Sequence, residues 1–355
     1  MAKILIKNGR VWDGERFFSA DVLAEDGIVT AIAPDIEEKA NFVFDASGMT
    51  VSAGLVDLHM HMLGISIDAF GTQAEGSCYP FGVTAAVDCG GTRGSRELLD
   101  AMYLKNAVFV STSIKENRMN RELTLRRLET FGDKTLGIKT YFDASSGHVL
   151  DISPLQEVCA LAREKGVKVM VHCADSPEPM VKIIETLAPG DILTHVFHGK
   201  VNTCEENNFA ALCLAKEKGV VLDAGFAGHV HTDFGVLKRA LEAGFLPDTI
   251  STDLTNLSAF SRGGRYGMTM CMSIARTAGM AEEDIFRAVT SAPAAAVGKA
   301  GKWGSLKVGG TADIAVLKET EEGFRLKDKA GNICESQRGY RCALTVADGR
   351  IAYKD

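Results

Sequence analysis

Two hydrophobic patterns divide the chain. At both ends, residues 1–50 and 303–355, short runs of alternating apolar and polar residues are separated by turn dipeptides such as Asn8-Gly9 and Asp348-Gly349. Alternation with a period of two is typical of strands that bury one face. We therefore expect the two ends of the chain to pair into one small β-sandwich domain.

The middle of the chain, residues 51–302, has a different pattern. Short apolar runs alternate with amphipathic stretches, which is typical of βα units and a parallel sheet. The strands are predicted near residues 51–58, 83–88, 107–112, 135–140, 167–172, 191–195, 219–223 and 248–253. Eight strands with helical crossovers predict an α/β fold, a TIM-like (β/α)8 barrel. A doubly wound sheet ranks second, because no strand is followed by a G-x-G-x-x-G phosphate-binding motif.

Composition and charge exclude several classes of protein. The formal net charge is -7 and no block of basic residues stands out, so neither nucleic acid nor a membrane surface is an expected partner. Nine cysteines without a C-x-x-C pair argue against a disulfide framework and a structural zinc finger. With no signal peptide or bilayer-spanning stretch apparent, we expect a cytoplasmic protein.

Six residues able to carry chemistry fall at the carboxyl ends of predicted strands, where a barrel gathers its active site. They are His59 and His61 on the first strand, Lys139 on the fourth, His172 on the fifth, His195 on the sixth and Asp253 on the eighth. His59 and His61 are two positions apart, so both imidazoles point the same way and form half of a metal site. A lone strand-end histidine is usually a core residue, and a lone aspartate usually caps a helix. Chance would rarely place all six at one end, and we interpret the set as a metal site.

These residues resemble the motifs of the amidohydrolase superfamily, specifically its binuclear dihydroorotase- and hydantoinase-like members. The resemblance covers nearly the whole chain and rests on the ligand set, the segment 54–61 (GLVDLHMH) and the segment 304–313 (GSLKVGGTAD). The segments 194–199 (THVFHG) and 251–255 (STDLT) look like the dihydroorotase-like or deacetylase subgroup. Some members of that subgroup cleave acetyl groups from N- or O-acetylated carboxylic acids.

The resemblance implies two divalent metal ions and a modified lysine. The buried ion would be bound by His59, His61 and Asp253, the second ion by His172 and His195, and Lys139, carboxylated by carbon dioxide, would bridge both. Carboxylation would convert a costly buried cation into a two-oxygen anion between two positive ions. Imidazole and carboxylate ligands suit zinc, with manganese, iron and nickel left open.

The implied reaction is metal-dependent hydrolysis of an amide or ester bond in a small acylated, most simply acetylated, carboxylic acid or amino acid. A hydroxide that bridges the metals would attack the carbonyl, and Asp253 would pass the proton to the leaving atom. The alternative is a cyclic amide hydrolase of dihydroorotase or hydantoinase type, ranked lower because no arginine-plus-asparagine pair is evident for dihydroorotate. Lys139 disfavours a mononuclear deaminase, and the complete ligand set disfavours a non-catalytic scaffold.

Substrate contacts are predicted from the loops at the same end. His198, Arg262 and Arg265 are candidate substrate-binding residues, and the two guanidinium groups suit a carboxylate. His229 and His231 form a second His-x-His after the seventh strand, outside the expected ligand set, and we interpret this segment as a substrate or lid loop. We expect a small-molecule substrate and a homo-oligomer.

Overall fold

The computed structural model describes residues 3–63, 71–90, 95–227, 230–261 and 266–355. Its strands are β1 (Lys3–Trp12), β2 (Phe17–Glu25), β3 (Ile28–Ala33), β4 (Phe42–Asp45), β5 (Thr50–Ala53), β6 (Leu55–Met60), β7 (Val83–Cys89), β8 (Lys105–Ser111), β9 (Ile114–Lys115), β10 (Arg118–Met119), β11 (Thr135–Tyr141), β12 (Lys168–His172), β13 (Ile192–Thr194), β14 (Val221–Asp223), β15 (Ile314–Thr320), β16 (Phe324–Lys327), β17 (Ile333–Ser336), β18 (Gly339–Ala347) and β19 (Arg350–Lys354). Its helices are α1 (Ala74–Cys78), α2 (Arg96–Asp100), α3 (Arg121–Phe131), α4 (Ser153–Lys165), α5 (Met180–Thr186), α6 (Glu206–Lys218), α7 (Phe234–Glu242), α8 (Asn256–Ser261), α9 (Met268–Ala278), α10 (Glu282–Val289) and α11 (Ser291–Ala296).

A seven-stranded parallel sheet forms the centre of the fold. Its order is β6-β7-β8-β11-β12-β13-β14, so the strands follow one another as they do along the chain. A doubly wound sheet would instead reverse its order at a switch point. Every residue of β6 and β7 is buried, as is typical of parallel strands that are covered on both faces.

The predicted eighth strand, 248–253, is present as single bridges and not as a continuous strand. Thr249 forms a parallel bridge with Asp223 of β14, and Leu254 forms one with Met60 of β6. The segment 249–254 therefore contacts both edge strands of the parallel sheet. It brings its own side chains to the carboxyl ends of β6 and β14.

The predicted first strand, 51–58, is two strands in two different sheets. Its first half is β5, antiparallel to β15, and its second half is β6, parallel to β7. Gly54 lies between them, and a Cβ there would lie 2.8 Å from the Cβ of Thr84 and closer still to its hydroxyl. The chain passes from one sheet to the other at a position where a side chain does not fit.

A mixed sheet combines strands from both ends of the chain. Its order is β19-β18-β15-β5-β1-β2-β3, with β4 paired to β1. Its apolar residues, among them Ile6, Val51 and Val316, form a core distinct from that of the parallel sheet. Alternating burial in β4, for example, follows the period-two pattern of the sequence. In the described part of the chain, no helix is long and apolar enough to cross a membrane.

Candidate metal centre

The first cluster of ligand-type side chains consists of His59, His61 and Asp253. The Nε2 atom of His59 lies 3.2 Å, and that of His61 2.9 Å, from Oδ1 of Asp253. His59 lies in β6 and His61 directly after its last residue, two positions apart, so both project to one side. Asp253 has φ of 48° and its N–H donates to the carbonyl of His59 at 2.6 Å. This left-handed backbone turns the carboxylate toward the imidazoles.

Lys139, at the end of β11, is fully buried beside this cluster. Its Nζ lies 3.1 Å from Nε2 of His59. Burial lowers the pKa of Lys139 below its ordinary value, because loss of water outweighs the attraction of nearby groups, among them Asp253. A larger neutral fraction of the amine is what reaction with carbon dioxide requires.

The second cluster consists of His172, His195 and His231. The ring centroids are 4.5 Å apart for His172 and His195, 4.9 Å for His172 and His231, and 4.5 Å for His195 and His231. Their ligand atoms all lie within 4.8 Å of one another, as do those of the first cluster. Of the two loop histidines noted in the sequence, His231 thus lies among the predicted ligands. His229 lies outside the described residues.

The protonation of His195 fits a metal ligand. Its Nδ1 donates to the carbonyl of Gly225 at 2.6 Å, so the lone pair is on Nε2. That Nε2 atom is buried and has no hydrogen-bond partner among the described residues. A buried polar atom left in this state costs about 1–3 kcal/mol, and a divalent ion would satisfy it.

A buried aspartate orients His59 through a threonine. The Thr194 hydroxyl donates to Oδ2 of Asp223 at 2.7 Å, and Nδ1 of His59 lies 3.1 Å from the same hydroxyl oxygen. Since the single hydroxyl proton goes to the carboxylate, the oxygen accepts from His59, and the lone pair of Nε2 faces the cluster. Asp223 also accepts hydroxyl hydrogen bonds from Thr249 and Ser251. Sequence reasoning missed this group, although Asp223 ends the predicted seventh strand.

Most of the sequence matches the model of one protein family. The sequence model of the Amidohydrolase family matches residues 50–352. The chain belongs to the amidohydrolase family. It is therefore a hydrolase, as the resemblance implied.

The sequence similarity between this amidohydrolase and its relatives extends over nearly its full length. A deacetylase from Enterococcus faecalis is 27% identical over 377 residues, which cover 98% of each protein. A deacetylase from Brucella anthropi is 28% identical over 352 residues, covering 90% of this chain and 84% of the relative. The crystal structure of a dihydroorotase superimposes with a TM-score of 0.85 at 24% identity, covering 99% of both chains, which shows the shared fold.

Electrostatics set the charge of the ligand-type groups in this amidohydrolase. Burial lowers the pKa of His59, His172 and His195, so their imidazoles are neutral, the form that binds metals. Burial raises the pKa of Asp253, but its interactions with His59 and His61 outweigh this and hold the pKa well below its usual range. Neutral imidazoles and an ionised carboxylate are the forms of these groups that bind metal ions.

The predicted substrate residue His198 lies next to the second cluster. It is 2% exposed, and burial lowers its pKa to about 4. With His231, Lys200 and Lys329 it lines a cavity of about 210 Å³. The other predicted substrate residues, Arg262 and Arg265, lie outside the described residues.

Proposed function

We propose that this amidohydrolase is a metal-dependent deacylase of small acylated, most simply acetylated, carboxylic acids or amino acids. The observation that carries the proposal is the convergence of two clusters of ligand-type side chains next to the buried Lys139. The near full-length similarity to two deacetylases supports the bond type.

The donor set suits two divalent ions, with zinc as the best match to imidazole and carboxylate. One ion would be held by His59, His61 and Asp253, the other by His172 and His195, with Lys139 carboxylated on Nζ as the bridge. Ions bound there would polarise the substrate carbonyl and lower the pKa of a water molecule. The Nε2 atom of His195, buried and without a hydrogen-bond partner in the described part of the chain, supports this assignment.

Asp253 is the proposed acid and base. Its carboxyl group is ionised, as a proton acceptor must be. The same carboxyl group would then deliver that proton to the leaving nitrogen or oxygen. The hydrogen bond from its N–H to His59 and the left-handed backbone hold the group in place during both transfers.

The cavity beside His198 is the proposed site for the substrate's acid group. Lys200 lies 3.0 Å from Asp175 in an ion pair, and Lys329 is exposed on the turn between β16 and β17. The two ammonium groups would attract a carboxylate. The Nε2 atom of His198, which has no hydrogen-bond partner among residues with described positions, would hydrogen-bond it. Arg262 and Arg265 remain predicted contacts for the same group.

The turn that carries Lys329 is tied to the rest of the site. The Asp328 carboxylate accepts from the N–H of Phe234 at 2.8 Å, and the Asn332 amide donates to Asp233 at 3.0 Å. The β16–β17 hairpin is thus anchored at the start of α7. This anchoring supports a fixed position of the hairpin backbone beside the cavity.

A substrate panel tests the proposal. Metal-loaded protein is assayed with N-acetyl amino acids, O-acetylated hydroxy acids and cyclic imides, including dihydroorotate. We expect turnover of acetylated acids, and weaker turnover when the free carboxylate is converted to an amide. Hydrolysis of the cyclic compounds alone would overturn the deacylase proposal and favour the cyclic amide hydrolase.

We also propose the finer architecture that the hydrophobic pattern predicts. Residues 51–302 would close into a (β/α)8 barrel, with the segment 249–254 completing the ring, and the bridges at Thr249 and Leu254 support this closure. Residues 1–50 and 303–355 would form the small β domain. Its description as a sandwich, a homo-oligomeric state and a cytoplasmic location stay predictions.

A further inference from the structure

We infer that His231 is a third histidine ligand of the second metal ion, the one assigned to His172 and His195 with Lys139 as the bridge. This inference rests on the proposed metal centre and adds a residue that lies outside the ligand set predicted from the sequence. His231 comes from the loop between β14 and α7, and its ring packs against both other imidazoles.

The distances leave room for one ion among the three rings. Two nitrogens bound to one tetrahedral zinc at 2.0–2.1 Å are about 3.3 Å apart. The ligand nitrogens of His172, His195 and His231 are at most 4.8 Å apart before any ion pulls them together. Small side-chain rotations would bring the nitrogens from at most 4.8 Å to about 3.3 Å apart.

Among the described residues, no side-chain hydrogen bond explains the position of the His231 ring. Its Nδ1 is buried and, within the described residues, has no hydrogen-bond partner. Its Nε2 lies 3.9 Å from Oδ2 of Asp253, which is too long for a hydrogen bond. A buried polar atom is normally paired, so the buried Nδ1 is the nitrogen that a metal ion would satisfy.

The backbone around His231 is held on both sides. Before it, the N–H groups of Phe226 and Ala227 donate to the carbonyls of Ser251 and Thr252 at 3.1 and 3.0 Å. After it, the Asp233 N–H donates to the carbonyl of Phe197 at 2.9 Å, and the Asp233 carboxylate caps α7. These hydrogen bonds place the ring over the second cluster.

The second ion would then be bound by three neutral imidazoles, and the cavity beside one of them, His231, would give substrate access to it. Without a carboxylated Lys139, the three imidazoles would leave a fourth position for water or substrate, which is the arrangement of catalytic zinc sites. His231 also lines the cavity next to His198, so an acid group bound there would lie beside this ligand. The second ion would stay bound even when Lys139 is not carboxylated.

Metal titration of the wild type and of His231→Ala tests the inference without an activity assay. Apo-protein is titrated with Co²⁺ and Zn²⁺ in competition with a chromophoric chelator, and bound metal is counted by elemental analysis. We expect the wild type to bind two ions. In the variant, the affinity for one ion only should be at least about tenfold lower, since loss of a residue that merely hydrogen-bonds to a ligand already lowers metal affinity about 10–100-fold. His198→Ala, which changes a neighbouring histidine of the same cavity, should keep wild-type metal affinity.

A second variant reports on coordination directly. In His231→Cys loaded with Co²⁺, a thiolate-to-cobalt charge-transfer band should appear that the wild type lacks. Unchanged affinity in His231→Ala together with no band in His231→Cys would overturn the role of His231 and leave the proposed centre intact. A wild-type protein that binds fewer than two ions would overturn the centre itself.

Discussion

Replacing Thr194 with valine should weaken metal binding without altering any proposed ligand. The Thr194 hydroxyl is the link between the Asp223 carboxylate and Nδ1 of His59. Valine has nearly the same shape but offers neither a donor to Asp223 nor an acceptor to His59. Without the acceptor, His59 no longer has a fixed proton on Nδ1, and its Nε2 lone pair is not held toward the ion.

The size of the effect follows from the contacts. Loss of a partner that orients a ligand costs about 10–100-fold in metal affinity, which is about 1.4–2.7 kcal/mol. Asp223 is fully buried and loses one of its three hydroxyl donors, while Thr249 and Ser251 remain. Loss of one hydrogen bond to a charged group lowers the free energy of unfolding of the apo-protein by about 1.5–3 kcal/mol.

The assay is a chelator competition with Zn²⁺, combined with urea unfolding of the metal-free protein. Thr194→Ser is the matched control, because it keeps the hydroxyl and removes only a methyl group. We expect near wild-type metal affinity for serine and the full loss for valine. If Thr194→Val bound zinc as tightly as the wild type, the orientation of His59 through Asp223 would be refuted.

Three further changes test other parts of the structure. Asp253→Asn should keep metal bound and lower kcat by about 10²–10⁴-fold, since the amide cannot carry the proton; near-normal turnover would contradict its role. Gly54→Ala should lower the free energy of unfolding by about 1–3 kcal/mol, because its Cβ would overlap Thr84; an unchanged thermal midpoint would contradict this crowding. Burial lowers the pKa of His198 from about 6.5 in the unfolded chain to about 4 in the folded protein. The contribution of His198 to the free energy of unfolding is therefore complete above about pH 6.5. It is lost as the pH falls toward 4, by up to about 3 kcal/mol. His198→Gln apo-protein should show a shallower loss of stability over that range in urea unfolding, and an equally steep loss would show that other groups cause it.

Local patterns predicted much of the fold because burial imposes them. Strands with both faces covered must be continuously apolar, and this placed all the strands of the parallel sheet close to their observed positions. The same reasoning joined 51–58 into one strand, since nothing in an apolar run shows that its two halves belong to different sheets. The change of sheet at Gly54 depends on Thr84, which is distant in the chain.

The sequence by itself determined the residue types of the candidate centre and their positions at strand ends, because alternation along a strand and the parallel arrangement bring such ends to one side. Only the tertiary structure decided how these side chains are oriented and which further side chain lies among them. The orientation of His59 depends on Thr194 and Asp223, and the position of His231 depends on a loop bound to the segment 249–254. Both arise from contacts between segments far apart in the chain, and no local pattern of apolar and polar residues records such contacts.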